Sequence, residues 1–205
     1  MKGESLGVHA SLKRHAGFSL TELVVAVAVA MIVMAVALPA FLRAYHSYEL
    51  SSAANQVADI LRLTRYEAIR LNKPIACIIQ ASAEGAGMTN LWTDSNGNGA
   101  MDPTEKMVLL GNAGNLVDSG GVPNAASLIS SAVGAIATTT PPPGGTSIWF
   151  DARGALTAPS SVNVNVFYLA SSIAPEAGYR AVLLMPAGAI QVWTGDVTGN
   201  WQQLR

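Results

Sequence analysis

The chain has 205 residues, with 12 Lys plus Arg against 13 Asp plus Glu and a formal net charge of −1. Half of the residues are hydrophobic, only 12% are charged, and mean hydropathy is +0.34. That balance excludes a disordered chain and bounds the protein to one domain, or a small domain with an appendage.

Cys77 stands alone, which excludes an internal disulfide, a CxxC redox pair and a cysteine-based zinc site. It lies in the apolar run Pro74–Ile79, where it reads as a buried packing residue. The histidines are His9, His15 and His46. Loss of an N-terminal leader would leave His46 alone, too little for a Ser-His-Asp triad, a Cys-His pair or a histidine metal centre. An enzyme would have to run on carboxylates alone, so the chain reads as non-catalytic.

Residues 1–17 carry Lys2, Lys13 and Arg14 against Glu4, and the 21 residues Phe18–Leu38 follow with one charge, Glu22. As a helix this run is ~31 Å long, matching the ~30 Å hydrocarbon layer of a bilayer. The basic residues ahead of it predict a single-pass topology with a cytoplasmic N-terminus and an exported remainder. A secretory signal is the alternative, with Ala35-Val-Ala37 as its cleavage site. Against that alternative, the run exceeds the ordinary signal length and carries an acid. A charge at membrane depth costs at least ~2.5 kcal/mol, so Glu22 marks a functional position whose partner is a cation the segment itself lacks.

The helical pattern continues past Pro39, since proline can kink a helix without ending it. Leu50, Ala53, Ala54, Val57, Ile60, Leu61, Thr64, Ala68 and Leu71 recur at three- and four-residue steps and predict a stripe facing a globular head. Arg70 and Lys73 suit a helix C-terminus and Pro74 stops it, giving a helix over 18–72 with its membrane half at 18–38. Short runs broken by Gly, Pro, Asn or Asp then predict strands at 75–80, 88–93, 106–110, 146–151, 162–170, 179–185 and 189–194. The alternation Val162-Asn-Val-Asn-Val166 predicts one buried and one solvated face, and Met185-Pro-Ala-Gly-Ala189 a hairpin turn. Residues 111–145, rich in Gly, Ser, Thr and Pro, read as a long surface loop within a head spanning 73–205. The expected fold class is α+β, one long helix packed on an antiparallel sheet.

Three surface features are candidates for binding. Asp94, Asn96, Asn98, Gly99, Asp102 and Glu105 match the spacing of a calcium loop, with the Ala100 carbonyl as a further ligand. Strand-like flanks and two neutral Asn ligands weaken that reading against a solvated Asn/Gly turn, so calcium stays an open, low-affinity cofactor and none is required. Arg62, Arg65, Arg70 and Lys73 form a basic run, yet Asp59 and Glu67 interleave, which favours a solvated helix face over nucleic acid. Asp151 and Arg153 read as a turn, and Trp149, Trp193 and Trp201 as sheet packing.

Gly17-Phe-Ser-Leu-Thr-Glu22 resembles the cleavage and methylation motif of type IV prepilins and type II secretion pseudopilins. The resemblance implies that a prepilin peptidase cuts after Gly17 and methylates Phe18, and that Glu22 pairs with the amino terminus of a neighbouring subunit, supplying the missing cation. Loss of the leader would leave 188 residues at net charge −3. Pro39 also falls where many pilin helices bend. In the head, Thr64–Pro74, the segment 94–105, Phe150-Asp-Ala-Arg-Gly154 and Gly188–Val192 are similar in order and spacing to the GspH/FimT family of minor pseudopilins and minor type IV pilins. That likeness implies a pilin-like fold and a structural subunit of a type II secretion pseudopilus or a type IV pilus. It also implies inner-membrane residence with a periplasmic head, and partnership with other pilin or pseudopilin subunits and with lipid. A DNA- or calcium-binding minor pilin displayed on a filament is the alternative.

Overall fold

The computed structural model describes residues 19–83, 87–134, 136–143, 145–157 and 163–204. The chain divides into two units, one ending at Ala40 and the other running from Phe41 to the C-terminus. Helix α1 covers Leu20–Leu71 and contains Pro39.

Within the second unit the helix buries Leu50, Ala53, Ala54, Val57, Ala58, Ile60, Leu61, Thr64 and Ala68, the expected stripe with Ala58 added. Leu71, expected in the stripe, is 39% exposed because the helix is already ending there. Asn72 adopts a left-handed conformation (φ 50°), its N–H donates to the Ile69 carbonyl, and the Lys73 N–H donates to the Ala68 carbonyl. This Schellman arrangement satisfies the terminal carbonyls, and Pro74 then begins the extended chain.

Among the described residues ten strands follow as β1 (Ile75–Ala81), β2 (Thr89–Asp94), β3 (Met107–Leu110), β4 (Asn115–Val117), β5 (Thr138–Thr139), β6 (Gly145–Phe150), β7 (Val164–Ala170), β8 (Tyr179–Leu184), β9 (Ile190–Gly195) and β10 (Trp201–Gln203). They form two sheets where one was expected. The first has the order β3-β2-β1-β6, and the second β10-β9-β8-β7-β4 with β5 alongside β7. Pairing is antiparallel except for β5, which runs parallel to β7. The turn at Met185–Ala189 joins β8 to β9 as expected, closed by the Met185 N–H on the Ala189 carbonyl (2.8 Å).

Both sheets bury one face against α1. The main core joins Leu50, Val57 and Leu61 of the helix to Ile75, Cys77, Ile79 and Leu91 of the first sheet and to Phe167, Leu169, Val182 and Val192 of the second. Cys77 is fully buried, and desolvation pushes its thiol up to about 12.

The segment 111–145 departs from its reading as a loop. It holds β4, a helix α2 (Ala125–Ala132) and β5. Leu128 of α2 and Val122 are buried with Val164, Val166, Tyr168, Ala181, Leu183 and Trp193 in a second core on the far face of the second sheet. The misreading has a local cause, because α2 is a two-turn run of Ala and Ser around Leu128 and Ile129, too short for its apolar spacing to stand out among the turn residues of 111–145.

The same cover overturns the solvated face expected for β7. The alternate valines Val164 and Val166 face α2's side, Phe167 and Leu169 face α1, and Asn165 is 1% exposed. A strand covered on both faces buries whatever lies on either one. Trp193 is buried as expected, whereas Trp149 is 38% exposed.

Candidate functional site

The first unit holds the apolar half of α1. From Leu20 to Ala40 every residue is exposed, with Leu20 at 78%, Ile32 at 69% and Val36 at 75%. Mean hydropathy in this stretch reaches 2.8 and none of it is buried. A soluble monomer rarely shows a contiguous apolar patch above a few hundred Å², so this cylinder needs lipid or other helices around it. Glu22 sits in the first turn of the helix, where a carboxylate is also favoured by the helix dipole. Gly17 and Phe18, the expected processing positions, and the leader 1–17 lie outside the described residues.

The acidic loop is closed on its own amides. Asp94, 4% exposed, accepts the Gly97 N–H (2.7 Å) and Asn98 N–H (3.1 Å) on Oδ1 and the Gly99 N–H (3.0 Å) on Oδ2. Glu105 accepts the Ser95 N–H (2.8 Å) on Oε1 and the Asp102 N–H (3.2 Å) on Oε2. Asn96 Oδ1 accepts from the Asn98 N–H, and Asn98 Oδ1 from the Ala100 N–H. The side-chain NH₂ groups of Asn96 and Asn98 both donate to Asp102 Oδ2. A cation shell needs oxygens converging on one point, whereas here two amide donors share one Asp102 oxygen. Among the described residues no group of three or more His, Cys, Asp or Glu is placed to hold a metal.

The basic run is committed to local partners. Arg62 pairs with Asp59 (2.8 Å), Arg70 donates through Nε to Glu67 (2.9 Å), and Lys73 donates to the Ser95 carbonyl (2.8 Å). Arg65 Nη1 donates to the Gly188 carbonyl (3.0 Å).

That last contact joins three segments that sequence spacing alone does not connect. The Arg65 side chain runs across Gly154 and Gly188, whose positive φ values (78° and 79°) suit glycine. A Cβ on Gly154 would come within 2.7 Å of Ile69 and 2.8 Å of Arg65 Nε, and one on Gly188 would collide with the Gly154 carbonyl. The turn before Gly154 is capped by Asp151, whose Oδ1 accepts the N–H groups of Ala155 (2.9 Å) and Arg153 (2.8 Å). The same N–H groups hold its carboxyl below the usual range. The Phe150–Gly154 and Gly188–Val192 motifs are therefore a docking point for α1.

A second helix clamp was not anticipated. Arg180 of β8 is 4% exposed, and its Nε donates to Ser51 Oγ (3.0 Å), Nη2 to Ser47 Oγ (2.8 Å) and Nη1 to the Tyr179 carbonyl (2.8 Å). Burial lowers its pKa. An Arg inside the otherwise apolar run Tyr179–Leu184 was the available signal.

The described residues thus present an exposed apolar helical stretch at Leu20–Ala40 and, in the second unit, a helix packed on two sheets. A family model described as type II transport protein GspH matches residues 53–188, and one described as the prokaryotic N-terminal methylation motif matches residues 12–38. The chain belongs to the GspH family. Two crystal structures of the type IV minor pilin FimU of Pseudomonas aeruginosa resemble it. One is 17% identical, covers 77% of this chain and 94% of its own, and has a TM-score of 0.46; in the other form the values are 19%, 70%, 91% and 0.44. No curated protein matches the chain.

Proposed function

We propose that the chain is a minor structural subunit of a type II secretion pseudopilus or a type IV pilus, without catalytic turnover. The carrying observation is the wholly exposed apolar stretch Leu20–Ala40 with Glu22 in its first turn. Before assembly that stretch spans the inner membrane, with the N-terminus cytoplasmic and the head periplasmic. A prepilin peptidase removes the leader after Gly17 and methylates Phe18. In the filament the same stretch packs among other subunits, and Glu22 neutralises a neighbour's amino terminus. Two charges that are each costly in lipid are compatible when paired, and the pairing sets the register of assembly.

The test is the N-terminal mass of the protein extracted from membranes with and without its prepilin peptidase. A chain beginning at methylated Phe18, dependent on the peptidase, is the expected result. A chain beginning after Ala37 or Ala40 identifies a conventional signal peptide and overturns the reading. Glu22→Val should leave processing intact and abolish incorporation into sheared filaments; normal incorporation removes the pairing role.

A further inference from the structure

One stripe of α1 in the second unit is apolar without facing the head. Phe41, Tyr45 and Tyr48 lie at i, i+4 and i+7, hence on one face, and are 66%, 47% and 71% exposed. The Phe41 and Tyr45 rings stack with centroids 6.5 Å apart. At 3.6 residues per turn this face lies roughly opposite Leu50, Val57 and Leu61, which bury against the sheets. The head leaves these three rings largely exposed, with Tyr48 bordering a cleft it shares with Leu109, Gly111 and Gly114.

The composition of the face is graded along the helix axis. It begins directly after the apolar run with Phe41, passes through two tyrosines, and is polar at Ser52, Gln56 and Asp59 before an exposed aromatic, Tyr66, recurs on it two turns further on. Arg43 and His46 fall within the same stretch. That order matches a bilayer surface, where tyrosines concentrate at the meeting of hydrocarbon and headgroups. Seven helical steps from Phe41 to Tyr48 rise ~10 Å, comparable to the headgroup layer on one side of a bilayer.

We infer that Phe41, Tyr45 and Tyr48 form an interfacial belt, and that the partner of this face before assembly is the headgroup layer of the membrane. The inference rests on the reading of Leu20–Ala40 as a span. The belt fixes how far the helix can slide along the membrane normal, and it seats the start of the head at the lipid surface.

Single-cysteine depth measurements on the full chain test both. Cys77 is fully buried, so the unsubstituted protein is the labelling control. Val33→Cys, Tyr45→Cys, Tyr48→Cys and Gln56→Cys are labelled with bimane and reconstituted in phosphatidylethanolamine–phosphatidylglycerol vesicles carrying a nitroxide high or low on the acyl chain. All four positions are exposed, so the replacements open no cavity, and an unchanged tryptophan-fluorescence melt of the head confirms folding. The labels at 45 and 48 should be quenched more by the shallow nitroxide than by the deep one, the label at 33 the reverse, and the label at 56 by neither. Deep quenching at 33 with none at 45 and 48 overturns the belt and leaves the span standing. Equal quenching at 48 and 56 also overturns it, because the helix then has no stop. No quenching at 33 overturns the span itself, and the belt with it.

Discussion

Leu128→Ala separates a loose surface loop from a built second core. Leu128 is fully buried under β7 and β8 and is the large side chain that α2 contributes to the cluster of Val164, Val166, Tyr168, Leu183 and Trp193. Truncating a buried leucine costs about 2–5 kcal/mol, and the low end applies where the site can collapse. A two-turn helix lying on one sheet face can settle inward, so the expected loss is about 2–3 kcal/mol. At roughly 2–4 °C per kcal/mol for a chain of this size, the melting temperature should fall by about 5–10 °C. Intrinsic fluorescence is a direct reporter, because Trp193 belongs to the cluster and Trp201 packs against it. Leu204→Ala, at a side chain 43% exposed, is the control and should stay within ~0.5 kcal/mol. A fall of under ~1 °C for Leu128→Ala would refute the second core and return residues 111–145 to a loop draped on the sheet.

Gly188→Ala places a Cβ against the Gly154 carbonyl and 2.8 Å from Arg65 Nε at a φ of 79°. Left-handed backbone alone costs ~1–2 kcal/mol for a residue with a Cβ, so the melting temperature should drop by several degrees. Gly120→Ala, which meets nothing within 4 Å, should be silent in the same melt. Cys77, with its thiol pushed up to about 12, should resist Ellman's reagent at pH 8 until the head unfolds. The sign of its pH effect follows from the neutral folded thiol: above the unfolded pKa near 9 only the unfolded chain ionises. Stability should then fall by up to ~1.4 kcal/mol per pH unit, and Cys77→Ala should flatten that decline in urea titrations. In chelator, Asp94→Ala should destabilise the head by ~1–3 kcal/mol, since the Gly97 and Gly99 N–H groups lose their acceptor while the Asn98 N–H keeps Asn96. Millimolar calcium should leave the wild-type melting temperature unchanged, and a rise of several degrees abolished by Asp94→Ala would show that the loop re-forms around an ion.

The sequence by itself determined what depends on near neighbours along the chain. The apolar run, its acid, the buried stripe Leu50–Ala68, the helix stop at Asn72-Lys73-Pro74 and seven strands were all legible within a residue or two. Each is a periodicity of 3.6 or 2 bounded by a local stop signal. What went unread depends on surfaces meeting across the fold. Whether Asn165 faces water cannot be written in β7, because the answer depends on what covers each face. The weak pattern of Ala125–Ala132 became a helix because the far face of the second sheet needed a cover and Leu128 could fill it. Arg65 over Gly154 and Gly188, and Arg180 beneath Ser47 and Ser51, join residues more than 80 positions apart. Their roles arise only once tertiary packing excludes water and leaves each guanidinium the carbonyls and hydroxyls beside it.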